Sequence, residues 1–507
     1  MGTDPATVGV GALVPCPRCR VRPGPAAGAR PRAGTDAEMS RAGEGGVVVR
    51  DVGDRQARPA GLGVEGSRLR HPARIAVAGF AVAAAVGTVL LSLPVAAVSG
   101  ERTDVVDAAF TATSAVCLTG LITVETGSHW STFGEVVVLL LIQAGGLGIM
   151  TLAALFAVLV SGRLRLRAQL VARTETKNPG MGDLRRMVPN IIRFSLVCEA
   201  VVAAVLTVVF LVRYDRPPGD ALYDGVFHAV SAFNNAGFST HPDSLMSYVG
   251  DPWVCLPIAA AAIVGGLGFP VVFELVRSWR RPRGWSVLTR VTVVFTALLL
   301  VSGTLVITMA EYTNPETLGR LDGEDKWLAG FFASVTARSV GFNTIDTSAM
   351  GSESLLATDV LMFIGGGSAG TAGGIKVTTF GLLAFVIWAE MRGDPGIRVG
   401  KRRVPEGNQR QALAIVLLSV GAVAASTFAV LGMTAFTLDQ VLFEVISAFA
   451  TVGLSTGITG ELPPAAKVLL TVLMFAGRLG PLTLATALAL RERARRYDLP
   501  EERIIVG

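Results

Sequence analysis

Four short stretches of this chain repeat one theme: SAVCLTGL around Gly120, SAFNNAGFS around Gly237, TARSVGFNT around Gly341 and SAFATVGLS around Gly453. Each centres on a glycine, which reaches positive φ without steric penalty and lets the backbone turn back while its carbonyls face one way. Rings of backbone carbonyls can replace the water shell of a cation, so such hairpins, set between membrane spans, suit ion selection. The glycines lie 117, 104 and 112 residues apart, which predicts one unit occurring four times and a single chain supplying every quarter of a pore. The candidate site is therefore Gly120, Gly237, Gly341 and Gly453, with carbonyls from Thr119, Ala236, Val340 and Val452 before them. Ser114, Ser231 and Ser447 each stand six residues before their glycine. The third unit has Val335 there and offers Thr336 instead.

The elements that position these loops must cross a bilayer. The 507 residues have a mean hydropathy of +0.54 and are 17% charged, the balance of a membrane protein rather than of several soluble domains. First spans are expected over 73–98, 189–213, 287–311 and 411–434, and second spans over 134–160, 253–277, 356–390 and 466–490. Between them, 107–116, 221–233, 326–337 and 439–449 are too short to cross and are expected as half-helices. The fold class is thus an all-α membrane protein: four pseudo-symmetric units of span, half-helix, glycine loop and span, eight spans around one central pore. The units divide as 71–160, 161–277, 278–395 and 396–507, preceded by residues 1–70, a Gly-, Pro- and Arg-rich stretch expected to be a disordered tail.

Charge sets the expected orientation. The segments following each second span, with the end of the chain, carry 23 Lys and Arg, against six on the opposite side. The positive-inside rule places the basic segments and both termini in the cytoplasm and has the glycine loops enter from outside. Half-helices entering that way turn their partly negative C-terminal ends to the membrane centre, which favours cations. Asp107, Asp224, Asp325 and Asp439 lie near their outer, positive ends. The basic clusters flank span ends and lack interleaved aromatics, which argues against nucleic acid. Cys16 and Cys19 have metal-ligand spacing without a second pair to complete a site.

These residues resemble the Trk/Ktr/HKT superfamily of potassium transporters over about 73–507, whose pore is a single-chain fourfold pseudo-repeat with one glycine per filter strand. SAFNNAGFST, TARSVGFNT and SAFATVGLSTGITG look like its second, third and fourth strands, and the first, with Cys117 and Leu118, matches more loosely. The resemblance implies an ion-binding filter built from Cys117, Leu118, Thr119 and Gly120; Asn234, Asn235, Ala236 and Gly237; Ser339, Val340 and Gly341; and Thr451, Val452 and Gly453. QAGGLGIMT, VGGLGFPV, GGGSAGTAGGIK and AGRLGPLT recur in the second spans. The third contains a run too rich in small residues to remain a helix, tolerated at membrane depth only where it lines a cavity. By resemblance this is a gating loop, Gly365, Gly366, Gly367, Ser368, Gly370, Thr371, Gly373 and Gly374, followed by Lys376, with Arg478 as an electrostatic barrier under the filter. A phosphate-binding reading fails because Ile375 precedes Lys376 and Val377 follows it.

Three further expectations concern charges inside the membrane. Arg338 should pair with a carboxylate behind the filter, Glu199 should pair with Arg193, and Glu444 lies in the fourth half-helix. With only a polar stretch before residue 73, the chain looks Ktr-like. That implies a homodimer with two pores on a cytosolic ring of nucleotide-binding (RCK/KTN-type) regulatory subunits. No Rossmann fingerprint occurs, so the chain itself should hold no cofactor and any nucleotide sits on the partner. Potassium is the expected substrate, with sodium as an alternative or coupled ion, and membrane lipid surrounds the spans. An inverted-repeat transporter is disfavoured because all four loops enter from one side. No cluster of His, Asp, Ser or Cys in the spans suggests an enzyme.

Overall fold

A computed structural model describes residues 72–169, 181–394, 396, 398–399 and 402–480. The stretch 1–70, with Cys16 and Cys19, and the far end of the fourth unit's second span lie outside the described residues. Unit one comprises α1 (Pro72–Leu91), the half-helix α2 (Val105–Cys117), a single turn α3 (Thr126–His129) and α4 (Thr132–Gln169). Unit two has α5 (Met181–Arg213), the half-helix α6 (Pro218–Phe233), α7 (Pro252–Leu267) and α8 (Phe269–Ser278). Unit three has α9 (Val287–Glu311), the half-helix α10 (Gly323–Thr336), α11 (Ser352–Phe363) and α12 (Val377–Arg392). Unit four has α13 (Glu406–Leu431), the half-helix α14 (Leu438–Ala450) and α15 (Pro464–Leu479). Apart from short 3-10 turns, the other regular element among the described residues is a ladder of β1 (Arg398–Val399) and β2 (Arg402–Arg403), antiparallel with Arg398 opposite Arg403.

The helix starts follow from capping. Asp104 accepts from Val106 N at 3.2 Å, Ser286 from Thr289 N at 3.2 Å, and Thr437 with Gln440 forms a full capping box at α14. Each half-helix packs on the first span of its own unit, and each second span packs on the half-helix of the next: α4 on α6, α7 on α10, α11 on α14, and α15 back on α2. Lys467 of α15 pairs with Asp107 of α2 at 2.8 Å, tying the last unit to the first. The packing therefore closes a ring of four, and the protein is a mostly helical membrane protein of the expected class.

The second spans differ from continuous helices. Among the described residues, Thr132–Thr151, Val188–Arg213, Val287–Glu311 and Glu406–Leu431 are long and apolar enough to cross alone, and the α7–α8 pair makes a fifth although bent by 104°. The bend is at Gly268, with φ 90° and ψ 139°, and Gly480 at the end of α15 repeats that conformation at φ 81° and ψ 134°. A side chain rarely reaches this backbone region, so the repeated glycine is where the second span can break. The predicted third-unit break is also present, over 364–376 between α11 and α12. The first unit keeps its glycines inside the unbroken α4, which continues past the expected unit boundary at 160.

Candidate functional site

After each half-helix, two places before its glycine, comes a residue with left-handed backbone: Leu118 (φ 57°), Asn235 (58°), Ser339 (69°) and Thr451 (50°). The chain then reverses. In units one, two and four the next amide reaches back to the serine carbonyl five residues earlier, at 2.8, 2.8 and 2.9 Å. Two of the serine hydroxyls also accept the glycine amides, Gly120 N to Ser114 Oγ at 3.0 Å and Gly453 N to Ser447 Oγ at 3.1 Å, while Ser231 donates to Phe238 O. Lacking that serine, unit three bonds Val340 N and Gly341 N to Thr336 O. The loosely matching first strand thus has the same backbone turn as the second and fourth.

The four glycines meet around one point, at φ 88°, 73°, 85° and 97°. A Cβ on Gly120 would strike Ala236 O, one on Gly237 would lie 2.7 Å from Val340 O, one on Gly341 would strike Val452 O, and one on Gly453 would strike Thr119 O. The cyclic order places the carbonyls of Thr119, Ala236, Val340 and Val452 together, each against the neighbouring strand's glycine. At this close approach no side chain fits. The side chains of Cys117, Leu118, Thr119, Asn234, Asn235, Ser339, Thr451 and Val452 are all buried, and the hydroxyls of Thr119 and Thr451 have no hydrogen-bond partner among the described residues.

Beneath the ring lies the break between α11 and α12. Its stem is closed by Gly365 N to Ile375 O (3.0 Å), Ile375 N to Phe363 O (3.3 Å) and Val377 N to Gly366 O (2.9 Å). Its tip is bonded to the end of α7, Gly367 N to Gly266 O at 2.8 Å and Thr371 N to Gly265 O at 3.2 Å. Two contacts reach the strands themselves: Thr371 Oγ1 donates to Asn235 Oδ1 at 2.8 Å, and Gly373 N donates to Ser339 Oγ at 2.7 Å. Ser339 Oγ in turn donates to Thr451 O at 2.7 Å. Lys376 donates to Ala372 O, inside the loop. Ser368 and Thr378 exchange a hydrogen bond at 2.7 Å, and Gly370 would meet the carbonyls of Gly265 and Gly266 if it carried a Cβ. Gly374 takes a positive φ of 67°.

Arg478 reaches the same place from the fourth unit. It occupies the position held in the other second spans by Gly146, Gly266 and Gly366, is 6% exposed, and donates to Thr371 O. Its Nε and Nη2 are buried without a hydrogen-bond partner among the described residues. The preceding glycine position makes room for this packing: a Cβ on Gly145, Gly265 or Gly477 would strike Val116 O, Phe233 O or Phe449 O, at the end of that unit's half-helix. This spacing is visible in the four second-span motifs, although its partner carbonyls are not.

Two expected pairings need correction, and two further carboxylates, Asp224 and Glu444, gain partners. Arg338 has no carboxylate partner among the described residues; its Nη2 lies 3.3 Å from Gly365 O and 3.4 Å from Thr296 Oγ1, because the loop stem fills the space behind the strand. Glu199 does not pair with Arg193 but accepts from Gln143 Nε2 at 3.2 Å and Asn234 Nδ2 at 3.0 Å, so it fixes the outer side of the second strand. Asp224 lies in the body of α6, where it pairs with Arg216, and Asp220 takes the first turn. Glu444 accepts from Ser455 and, at 3.1 Å, from Thr459, bracing the chain after Gly453.

Above the glycines opens a cavity of about 410 Å³ whose charged lining consists of Glu125, Asp243, Asp346 and His241, with no Lys or Arg. His241 stacks on His228 at 4.8 Å, and Tyr248 OH lies 3.4 Å from its Nε2. Burial pushes the His241 imidazole below its usual range; Asp224 pulls the other way, Arg216 reinforces burial, and Asp243 opposes it. A group with a lowered folded pKa stabilises the fold above the unfolded value near 6.5, and that contribution is lost as pH falls through the folded value. The melting temperature should therefore fall on acidification below about 6.5, less steeply in His241→Phe. Equal slopes for the two proteins would show that His241 is not the group responsible.

One chain that turns four half-helices onto a carbonyl ring under an acid-lined mouth is a membrane protein built for cations. It belongs to the TrkH family, described as cation transport protein, whose family model matches residues 65–496. The chain is 40% identical over 422 residues to the Ktr system potassium uptake protein B of Vibrio alginolyticus, covering 83% of this chain and 91% of that protein. It is 38% identical over 437 residues to the Ktr system potassium uptake protein B of Bacillus subtilis (86% and 97%), and 35% identical over 442 residues to a potassium/sodium uptake protein of Enterococcus hirae (86% and 97%). The crystal structure of the potassium transporter TrkH from Vibrio parahaemolyticus shares the fold, with a TM-score of 0.66 at 18% identity over 84% of this chain and 86% of that one.

Proposed function

We propose that this protein takes up potassium across the cytoplasmic membrane, through a filter formed by the carbonyls of Thr119, Ala236, Val340 and Val452. The observation that carries the reading is the closed cyclic contact of each ring glycine with the next strand's carbonyl, which brings four backbone oxygens together to replace an ion's water shell. The glycine loops open outside and the basic segments lie in the cytoplasm. Residues 365–374 then act as the gate on the cytoplasmic side, with Arg478 beneath the filter. The Ktr-system naming of two relatives supports a partner regulatory subunit; we place it in the cytosol with nucleotide bound to it, and assign a homodimer of pore subunits. The chain carries no catalytic role in this reading. Sodium is kept as a second permeant or coupled ion because one relative is named for both cations. The test is growth rescue of a potassium-uptake-deficient bacterium at low potassium, with rubidium and sodium fluxes measured alongside. Rescue without rubidium uptake, or equal sodium and rubidium flux, would overturn the potassium assignment.

A further inference from the structure

The bent half-span α8 carries a feature that ion permeation does not use. Its first residues, Phe269, Val271 and Val272, are buried, and Phe273 packs edge-on against Phe269 and against Phe194 of α5. Its last turn and the link to α9 are basic: Arg277, Arg280, Arg281, Arg283 and Arg290 fall within fourteen residues. Glu274, the carboxylate of this turn, is taken up by Ser286 N at 2.6 Å, Ser286 Oγ at 2.7 Å and Thr289 Oγ1 at 2.6 Å. It caps α9 and faces the charge of Arg290 on that helix, forming no salt bridge with the four arginines before it. Among the described residues, no carboxylate pairs with Arg277, Arg280, Arg281 or Arg283. Three of these, with Ser278 and the α9-bound Glu274, line an open pocket of about 510 Å³ whose rim also holds Val276 and Trp279, 72% and 66% exposed.

We propose that this pocket binds the headgroup of an anionic phospholipid of the cytoplasmic leaflet, a proposal that rests on the orientation given above. An amphipathic helix bent from the span axis, tipped with arginines that no carboxylate pairs, Arg280 lying 5.0 Å over the exposed Trp279 ring, and with an exposed Val276, matches a phosphodiester joined to acyl chains. A soluble acidic partner would satisfy the arginines but leave Val276 and Trp279 in water. The site has a route to the loop beneath the ring. Gly268 joins α8 to α7, a Cβ there would strike Ser368 O, and the carbonyls of Gly265 and Gly266 hold Thr371 N and Gly367 N. Lipid that anchors α8 in this bent pose holds the loop in the bonded state and lowers flux through the pore subunit.

The experiment uses the full-length protein in phosphatidylcholine nanodiscs doped with phosphatidylglycerol, bound lipid being counted by native mass spectrometry. Wild type should retain phosphatidylglycerol, Arg281→Gln should bind it roughly fivefold more weakly, and the triple variant Arg277→Gln, Arg280→Gln, Arg281→Gln about a hundredfold more weakly. The single variant keeps the test informative if the triple one fails to fold. Retention unchanged in both variants, equal retention of phosphatidylcholine, or displacement by soluble glycerol phosphate at lipid-like affinity would each overturn the proposal. In liposomes, phosphatidylglycerol should lower rubidium flux for wild type and not for the variants, and equal lowering in both overturns the link to the loop. Lipid counting does not depend on transport, so absence of rubidium flux would count against the potassium reading while the lipid site is judged separately.

Discussion

Gly453→Ser should collapse ion discrimination while leaving the protein in the membrane. At φ 97° this glycine is the furthest of the four ring positions from the left-handed backbone that L side chains tolerate. Its Cβ would strike Thr119 O, one of the four oxygens at the centre. The serine costs roughly 1–3 kcal/mol in backbone strain, which the ring relieves by turning carbonyls away. A change of about 1.4 kcal/mol in the relative stabilisation of two ions is tenfold in their ratio, so the potassium-to-sodium flux ratio should fall by about that factor or more. Gly237→Ser should do less, because its φ is 73° and its Cβ would sit 2.7 Å from Val340 O. Matched flux ratios for Gly453→Ser and wild type, at equal membrane abundance, would remove the ring from the selectivity argument.

The legibility of this site in the sequence has a physical basis. The ring depends on local backbone requirements, a half-helix of 13 to 16 residues and then a glycine, and these repeat in the sequence because the geometry is the same in each unit. Even the serine six residues upstream was visible, although only the structure shows its hydroxyl accepting a glycine amide in two units. Long-range partners were not legible. The Arg338 expectation assumed a carboxylate, yet the space behind that strand is filled by the stem at Gly365, more than twenty residues later in the chain. Glu199 shares a helix with Arg193, while its donors, Gln143 and Asn234, come from two other elements. The break at Gly268 was hidden because the first unit carries the same GGLG and keeps its helix; neighbouring packing, not the motif, decides which one bends.

Shortening the loop beneath the ring should give high, unregulated flux, and the stem makes this a clean experiment. Gly365, Ile375, Phe363, Gly366 and Val377 already hold the two ends together, so replacing Gly367–Gly374 with a shorter linker need not disturb α11 or α12. What is lost is the tip: the bonds to Gly265 and Gly266, to Asn235 Oδ1 and to Ser339 Oγ, and the carbonyl that Arg478 holds. Those contacts fasten the loop from three units at once, the neutral ones about 0.5–1.5 kcal/mol each and the Arg478 bond about 1.5–3 kcal/mol. A displacement of α12 would therefore release them together, as the proposed regulatory partner requires. Arg478→Ala removes one tether and also a fixed positive charge in a low-dielectric path, where repulsion of a permeating cation is weakly screened. It should raise rubidium flux as well, but leave part of the regulation in place because the other tethers survive. If the loop-shortened protein, folded and dimeric, kept normal partner-dependent control of rubidium uptake, the loop would be structural. If Arg478→Ala left flux unchanged or lower at equal abundance, its guanidinium would serve to hold Thr371 rather than to oppose the ion.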